Sequence, residues 1–222
     1  MRKTIVHILK EEPKGHELTV KGWVRSFRAN RFIALNDGST LNNLQCVVDF
    51  ENTDPELLKR ITVGAAIAVT GGQAVEVEAK EIKILGDADP EEVKKTILSP
   101  KRHTLEKLRE QAHLRVRTNT FGAVMRLRSQ LSFAVHQYFQ KEGFYYVNTP
   151  IVTGSDAEGA GEMFKVTALD MKNPPKDEDG NIDYKKDFFG KETNLTVSGQ
   201  LEGETYALGL GQIYTFGPTF RA

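Results

Sequence analysis

The hydrophobic period of the chain changes once, near residue 103, and that change limits the architectures open to it. Through residue 86 the apolar residues come in short runs rich in β-branched and aromatic side chains, broken by turn-forming residues. Beyond 103 the spacing becomes helical, and Thr118 to Glu142 reads as one long helix closed by Gly143 at its C′ position. With 222 residues to distribute, the two regimes read as two modest domains of an α+β protein.

The first regime has a definite order. Strand-like runs start at Glu17 (Glu-Leu-Thr-Val-Lys-Gly-Trp-Val-Arg), Arg31 (Arg-Phe-Ile-Ala-Leu) and Leu44 (Leu-Gln-Cys-Val-Val-Asp-Phe). A short helix follows from Asp54, which is placed as N-cap before Pro55 at the first helical position. Strands over 65–69 and 74–84, joined by a tight Thr70-Gly-Gly-Gln73 link, complete the order βββαββ. That is the order of an oligonucleotide/oligosaccharide-binding barrel, the OB-fold, expected here over residues 1–86.

Residues 87–116, with Asp-Pro, Ser-Pro and short charged helices, read as a linker or hinge, and 117–222 as the second domain. In the long helix Phe121, Val124, Met125, Ala134, Val135, Tyr138 and Phe139 are expected to supply much of a buried stripe. A strand from Phe144 to Val152 follows. Residues 173–188 read as an exposed loop or hairpin, and 192–200 and 212–220 as strands of a larger antiparallel sheet.

Composition excludes several classes. With 39% hydrophobic and 27% charged residues the chain is neither a disordered tail nor a membrane span, since no run approaches the roughly 20 apolar residues a bilayer needs. The single cysteine, Cys46, excludes an intrachain disulfide and a Cys-rich zinc site, so a cytoplasmic setting is expected. Thirty basic and thirty acidic residues cancel, yet unevenly. Lys21 to Arg31 holds four basic residues and no acid, whereas Ile151 to Glu204 holds twelve acids against six lysines. A basic strand can face phosphates even when the whole chain is neutral.

The chemistry follows the same division. An OB barrel binds single-stranded nucleic acid by stacking bases on aromatics in a positive groove. Phe32 is the candidate stacking platform, Arg25 and Arg28 candidate phosphate or base contacts, and Gln45 a candidate base-edge reader. The competing reading puts Phe32 and Trp23 in the barrel core and leaves the arginines as solvated edge charges. The five histidines of the chain, of which only His136 falls in the second domain, show no ligand spacing, so no metal site is expected, and no Gly-x-x-x-x-Gly-Lys loop is present. The second domain's many glycines suggest tight turns around a cleft. Asp156, Glu158 and Glu162 sit in such a glycine-rich stretch, where carboxylates more often bind ammonium or metal, or are merely exposed, than hydrolyse a substrate.

Several motifs then occur in a telling order. Gly143-Phe-x-x-Val-x-Thr-Pro-Ile at the foot of the long helix resembles motif 1 of the class II aminoacyl-tRNA synthetases, with its proline at Pro150. Gly211-Gln-Ile-Tyr-Thr-Phe-Gly-Pro-Thr-Phe-Arg-Ala resembles the start of their motif 2. Between them Ser155-Asp-Ala-Glu-Gly-Ala-Gly-Glu-Met-Phe and Thr196-Val-Ser-Gly-Gln-Leu resemble the amino-acid site of the subgroup handling Asp, Asn and Lys. The runs Phe-Ile-Ala-Leu-Asn-Asp-Gly-Ser, Asn-Leu-Gln-Cys-Val-Val and Val-Ser-Gly-Gln-Leu-Glu-Gly-Glu are most similar to its bacterial, Asn-specific branch.

The resemblance implies an anticodon-binding OB domain, then the first part of an antiparallel-sheet catalytic domain with flanking helices. It implies a homodimer with Pro150 at the motif 1 interface. It also implies ATP-dependent activation of asparagine to asparaginyl-adenylate and transfer to tRNA(Asn), with Mg²⁺ neutralising phosphate charge. Carried over, Glu158 holds the substrate α-ammonium, Ser198 and Gln200 add neutral hydrogen bonds, and Arg221 clamps the ATP α-phosphate as the catalytic cation. Two departures stand out. Ala222 occurs one position before the motif 2 glutamate, so the Mg²⁺ carboxylates and motif 3 are expected downstream, and the chain alone is expected to form no adenylate. The Thr70–Gln73 link is also shorter than the family's basic loop, and both departures are expected to reflect omitted residues. The alternatives are an aspartyl-type or non-discriminating ligase, disfavoured by Gly199 where that branch has proline, and a non-catalytic tRNA-binding fragment.

Overall fold

The computed structural model describes residues 3–11, 15–73, 76–155 and 163–222. Two compact units divide the chain, Met1–Ser129 and Gln130–Ala222, and the division falls inside the long helix.

The first unit opens with a helix, α1 (Ile5–Glu11), whose Ile5 and Ile8 are fully buried. Five strands follow: β1 (Glu17–Arg28), β2 (Phe32–Asn36), β3 (Leu44–Val48), β4 (Ala66–Gln73) and β5 (Val77–Gly86). They close in the order β1-β2-β3-β5-β4, sealed by the parallel β3–β5 pair. Helix α2 (Pro55–Arg60) lies between β3 and β4, with Asp54 accepting from the Glu56 N–H as the sequence anticipates. The OB order is therefore realised as a closed barrel.

Alternation along the strands builds the core. Val20, Val24, Ile33, Leu35, Leu44, Cys46, Val48, Ile67, Val69 and Val77 point inward, and Ile5 and Ile8 pack against them. Each such side chain contributes on the order of 1.5–3 kcal/mol by leaving water. Asn36 is buried too, and its Nδ2 donates to the carbonyls of Thr40 and Asn42 and to Asn43 Oδ1. One amide thereby organises the loop from β2 to β3. Asp37 and Ser39 of that loop accept from the Ile5 and Val6 N–H groups, capping α1 from more than thirty residues away.

Residues beyond the barrel form three short helices, α3 (Pro90–Lys94), α4 (Leu105–Glu110) and α5 (Ala112–Arg115), then the long α6 (Asn119–Lys141). Gly143 adopts φ +85°, the left-handed stop the sequence calls for. The second unit contains paired two- and three-residue strands: β6 (Tyr145–Tyr146), β7 (Val152–Thr153), β8 (Lys165–Val166), β9 (Thr193–Leu195) and, after helix α7 (Gln200–Leu210), β10 (Ile213–Tyr214). β7, β9 and β8 form one antiparallel sheet, whereas β10 pairs in parallel with β6. Within the expected 173–188 hairpin, Lys176 and Ile182 form an antiparallel bridge.

Four local expectations are corrected. Thr70 to Gln73 is the end of β4 and not a turn, because Gly71 and Gly72 pair with Ala79 and Glu78. The run from Phe144 to Val152 is split into β6 and β7 around Pro150, which has no N–H to give a ladder. Residues 192–200 and 212–220 supply only three and two strand residues, and 212–220 joins a parallel pair. The long helix does not bury its stripe. Val124, Met125, Ala134 and Tyr138 are exposed, and only Phe121, Val135 and Phe139 are half-buried, because within the second unit the aromatic cover from Phe144, Tyr146, Tyr214 and Phe216 meets the helix at His136 and Phe139. Among the described residues no helix is long and apolar enough to cross a membrane.

Candidate functional site

Pairing across β1, β2 and β3 decides which residues share the outer barrel face. Arg28 lies opposite Phe32, and Phe32 opposite Val47; Ser26 lies opposite Ala34, and Ala34 opposite Gln45. Arg28, Phe32 and Gln45 therefore share one face, out of phase with the inward Ile33, Leu35 and Cys46. Phe32 is half-buried and outside the core, with the Arg31 guanidinium 5.7 Å from its ring centre. The core reading of Phe32 fails on that register.

Gln45 is held in place. Its Nε2 donates to Glu76 Oε1 at 2.5 Å, which fixes the amide and leaves its oxygen and second N–H for another partner. A hollow of about 590 Å³ opens beside it, lined by Leu9, Arg28, Ala34, Asn42, Asn43 and Gln45. Arg28 and the oriented Gln45 amide line this open concavity, and the Phe32 ring shares their strand face without lining it, a set that suits a nucleobase with its phosphate.

Arg25 does not join this face. The β1–β2 register shifts between Val24 and Ser26, which leaves Arg25 without a cross-strand partner on β2. Its Nη1 donates to the Arg117 carbonyl at 2.5 Å and its Nη2 to Asn119 Oδ1 at 3.0 Å. Burial holds its pKa below the usual arginine value. Trp23, half-buried, carries the Arg117 guanidinium on its ring at 4.7 Å.

In the second unit the start of α7 gathers two of the expected substrate contacts. Ser198 Oγ accepts from the Gln200 N–H at 3.2 Å, while the Ser198 carbonyl accepts from the Thr196 hydroxyl. Gln200 Nε2 donates to Glu204 Oε1 at 3.2 Å. Phe220 N–H donates to the Thr196 carbonyl at 3.0 Å, which brings the neighbouring Arg221 to the strand that leads into Ser198. Arg221 is exposed and forms no ion pair among the described residues. Glu158 lies outside the described residues. Pro150 is exposed. A Cβ at Gly199 would stand 2.7 Å from Thr149 Oγ1 and 3.2 Å from Thr215 Cγ2, so the glycine lets α7 begin against both threonines.

Residues 104–222 match the family model of the class II tRNA synthetases for D, K and N. The chain belongs to this family.

Curated relatives extend the match across the barrel. An asparagine–tRNA ligase of Parabacteroides distasonis is 54% identical over 232 aligned positions, covering 100% of this chain and 49% of the relative. One from Cytophaga hutchinsonii is 55% identical over 217 positions, covering 93% and 46%. The chain thus spans about half the length of the curated relatives it matches. Asparaginyl-tRNA synthetase from Pyrococcus horikoshii, solved with asparaginyl-adenylate, shares the fold at TM-score 0.76 and 21% identity, over 100% of this chain and 48% of that one.

Sequence reasoning missed some participants of this class II synthetase chain. Glu76 orients Gln45, and nothing at residue 76 signals a partner 31 positions away. His136 sits in α6 with its Nδ1 2.7 Å from the Tyr214 hydroxyl and its ring edge-on to Tyr146 and Phe216. That cluster packs around β10, which leads to Arg221.

Proposed function

We propose that this chain is the anticodon-binding and leading catalytic portion of an asparagine–tRNA ligase that uses ATP. The single observation that carries the reading is 54% identity to an asparagine–tRNA ligase along the whole chain, barrel included. The barrel, residues 1–86, is the anticodon domain, with Phe32 as stacking platform, Arg28 on phosphate and Gln45 on a base edge. Residues 87–116 are the hinge, and 117–222 begin the catalytic domain.

In the first reaction an asparagine carboxylate oxygen attacks the α-phosphorus of ATP, and pyrophosphate leaves. In the second a ribose hydroxyl at the tRNA 3′-end takes the aminoacyl group and AMP departs. Both steps need positioning and charge neutralisation more than side-chain proton transfer. Glu158 holds the α-ammonium, Ser198 and Gln200 frame the amino acid, and Arg221 neutralises the α-phosphate. Arg221 suits that task because it is exposed and free of an ion pair among the described residues. Among the same residues no group of His, Cys, Asp or Glu is arranged to hold a metal. When bound, Mg²⁺ would add to the neutralisation of phosphate charge beside Arg221.

A second copy is the natural cover for α6. Leu127, Leu131, Phe133 and Tyr138 are all more than half exposed along one helix, and Pro150 is exposed as well. We assign this surface to a homodimer in the cytoplasm.

The test is binding of the 222-residue chain to anticodon stem–loops that differ in one base, GUU for asparagine and GUC for aspartate. Preference for GUU supports the Asn reading. Equal or inverted preference points to the non-discriminating or aspartyl ligase. On the full-length gene product, asparagine-dependent exchange of pyrophosphate into ATP is expected, and exchange driven by aspartate alone overturns the assignment.

A further inference from the structure

Away from the barrel face, the first unit contains an arginine cluster that no carboxylate balances. Arg25, Arg117 and Arg126 line a hollow of about 430 Å³ together with Trp23, Thr118 and Asn119. An adjoining hollow of about 820 Å³ shares Arg25, Thr118 and Asn119 and adds Lys101, Arg102 and His103. Neither has an Asp or Glu in its described lining, in a chain whose acids and bases are equal in number.

The arginines are satisfied only by neutral groups. Arg25 bonds the Arg117 carbonyl and Asn119; Arg126 donates to the carbonyls of Gly122 at 2.9 Å and Gly38 at 2.6 Å; Arg117 rests on Trp23. None of the three forms an ion pair among the described residues. Burial, then the charge of Arg25, lowers the Arg117 pKa, the direction expected where cations lack a counter-charge. Two donors are also left over. Arg117 Nε and Trp23 Nε1 are buried with no acceptor among the described residues. Uncompensated guanidinium charge lining one concavity calls for a ligand that only accepts and is negative.

We propose that this hollow binds phosphate oxygens of an RNA backbone, as a contact separate from the Arg28–Phe32–Gln45 face. The choice of RNA rests on the function proposed above, whereas the phosphate chemistry rests on the hollow itself. A phosphodiester neutralises Arg25, Arg117 and Arg126 without base selection. Lys101 and Arg102 continue the cationic path into the adjoining hollow.

Trp23, the only tryptophan of the chain, reports the site directly. Its emission is followed while the 222-residue chain is titrated with a uridine dodecamer and, separately, with tripolyphosphate. A saturable change with the dodecamer is expected, persisting in Phe32→Ala and in Arg117→Lys but weakened at least tenfold in Arg117→Gln. The slope of log affinity against log salt is expected to fall by about one in Arg126→Gln. Because Arg117 and Arg126 also make packing contacts, Lys101→Gln combined with Arg102→Gln repeats the slope test at two exposed positions. A response to tripolyphosphate alone supports the site with a free polyphosphate as occupant. Silence with both probes, or a response and slope unchanged in every variant, overturns the proposal. If dodecamer binding depends on Phe32 while Trp23 stays silent, the barrel-face reading survives and this one does not.

Discussion

Phe32 and Val47 are cross-strand partners on the outer barrel face, one residue out of phase with the buried pair Ile33 and Cys46. That half-period offset separates function from stability along a single strand. Phe32→Ala is expected to weaken anticodon stem–loop binding by about 1–3 kcal/mol, the worth of one stacked base. Ile33→Ala is expected to destabilise the barrel by about 2–5 kcal/mol, because Ile33 is fully buried. Binding isotherms and urea denaturation of the two variants check the division. Equal losses of stability would return Phe32 to the core.

Cys46 shows the same register from inside. It is fully buried, and burial pushes its thiol pKa up to about 12. The thiolate is the reactive form, so at pH 8 it amounts to roughly one part in ten thousand before access is considered. The native chain is expected to leave a disulfide-exchange reagent unreacted, and to take up one equivalent once denatured. Prompt labelling of the folded chain would show that the barrel opens at β3.

Two backbone positions predict opposite signs. Ala29 and Asn30 take φ of +51° and +49° in the turn from β1 to β2. A left-handed alanine costs about 1–2 kcal/mol, of which glycine's greater unfolded freedom returns about 0.5–1. Ala29→Gly is therefore expected to stabilise the barrel slightly, by no more than about 1 kcal/mol. Gly71→Ala runs the other way, since its Cβ would stand 1.9 Å from the Glu78 carbonyl oxygen. A loss of about 1–3 kcal/mol or more is expected from such overpacking. Denaturation midpoints of both variants give the comparison.

What could be read from the residues was what their neighbours in sequence decide. Alternation placed the barrel strands, Asp54 and Pro55 announced α2, and Gly143 ended the long helix. Helix α1 was missed because its caps, Asp37 and Ser39, are supplied by a distant loop. Helix α7 was missed because Gly203 and Gly209 depress its local propensity. Arg25 and Arg28 stand three residues apart, so alternation alone does not put them on one face, and the partners that hold Arg25 lie more than ninety residues on. The stripe of α6 was legible as apolar, but whether such a stripe is covered depends on partners beyond the helix itself.

Asp187 ties the pH response to the second unit. Its carboxylate is held below the usual range by the Thr167 hydroxyl and by the N–H groups of Ala168 and Phe188, the latter two donating to Oδ1 at 2.9 and 2.7 Å. A depressed carboxylate stabilises the folded state above its unfolded pKa of about 3.9, and that contribution is lost as pH falls through the folded value. Asp187→Asn keeps the shape and removes the titration. The stability gap between the natural chain and this variant should be widest near neutral pH and close progressively below pH 4. Urea denaturation of both, followed by circular dichroism across that range, reads the gap. A gap independent of pH would mean that the carboxylate charge contributes nothing to holding the segment around Ala168.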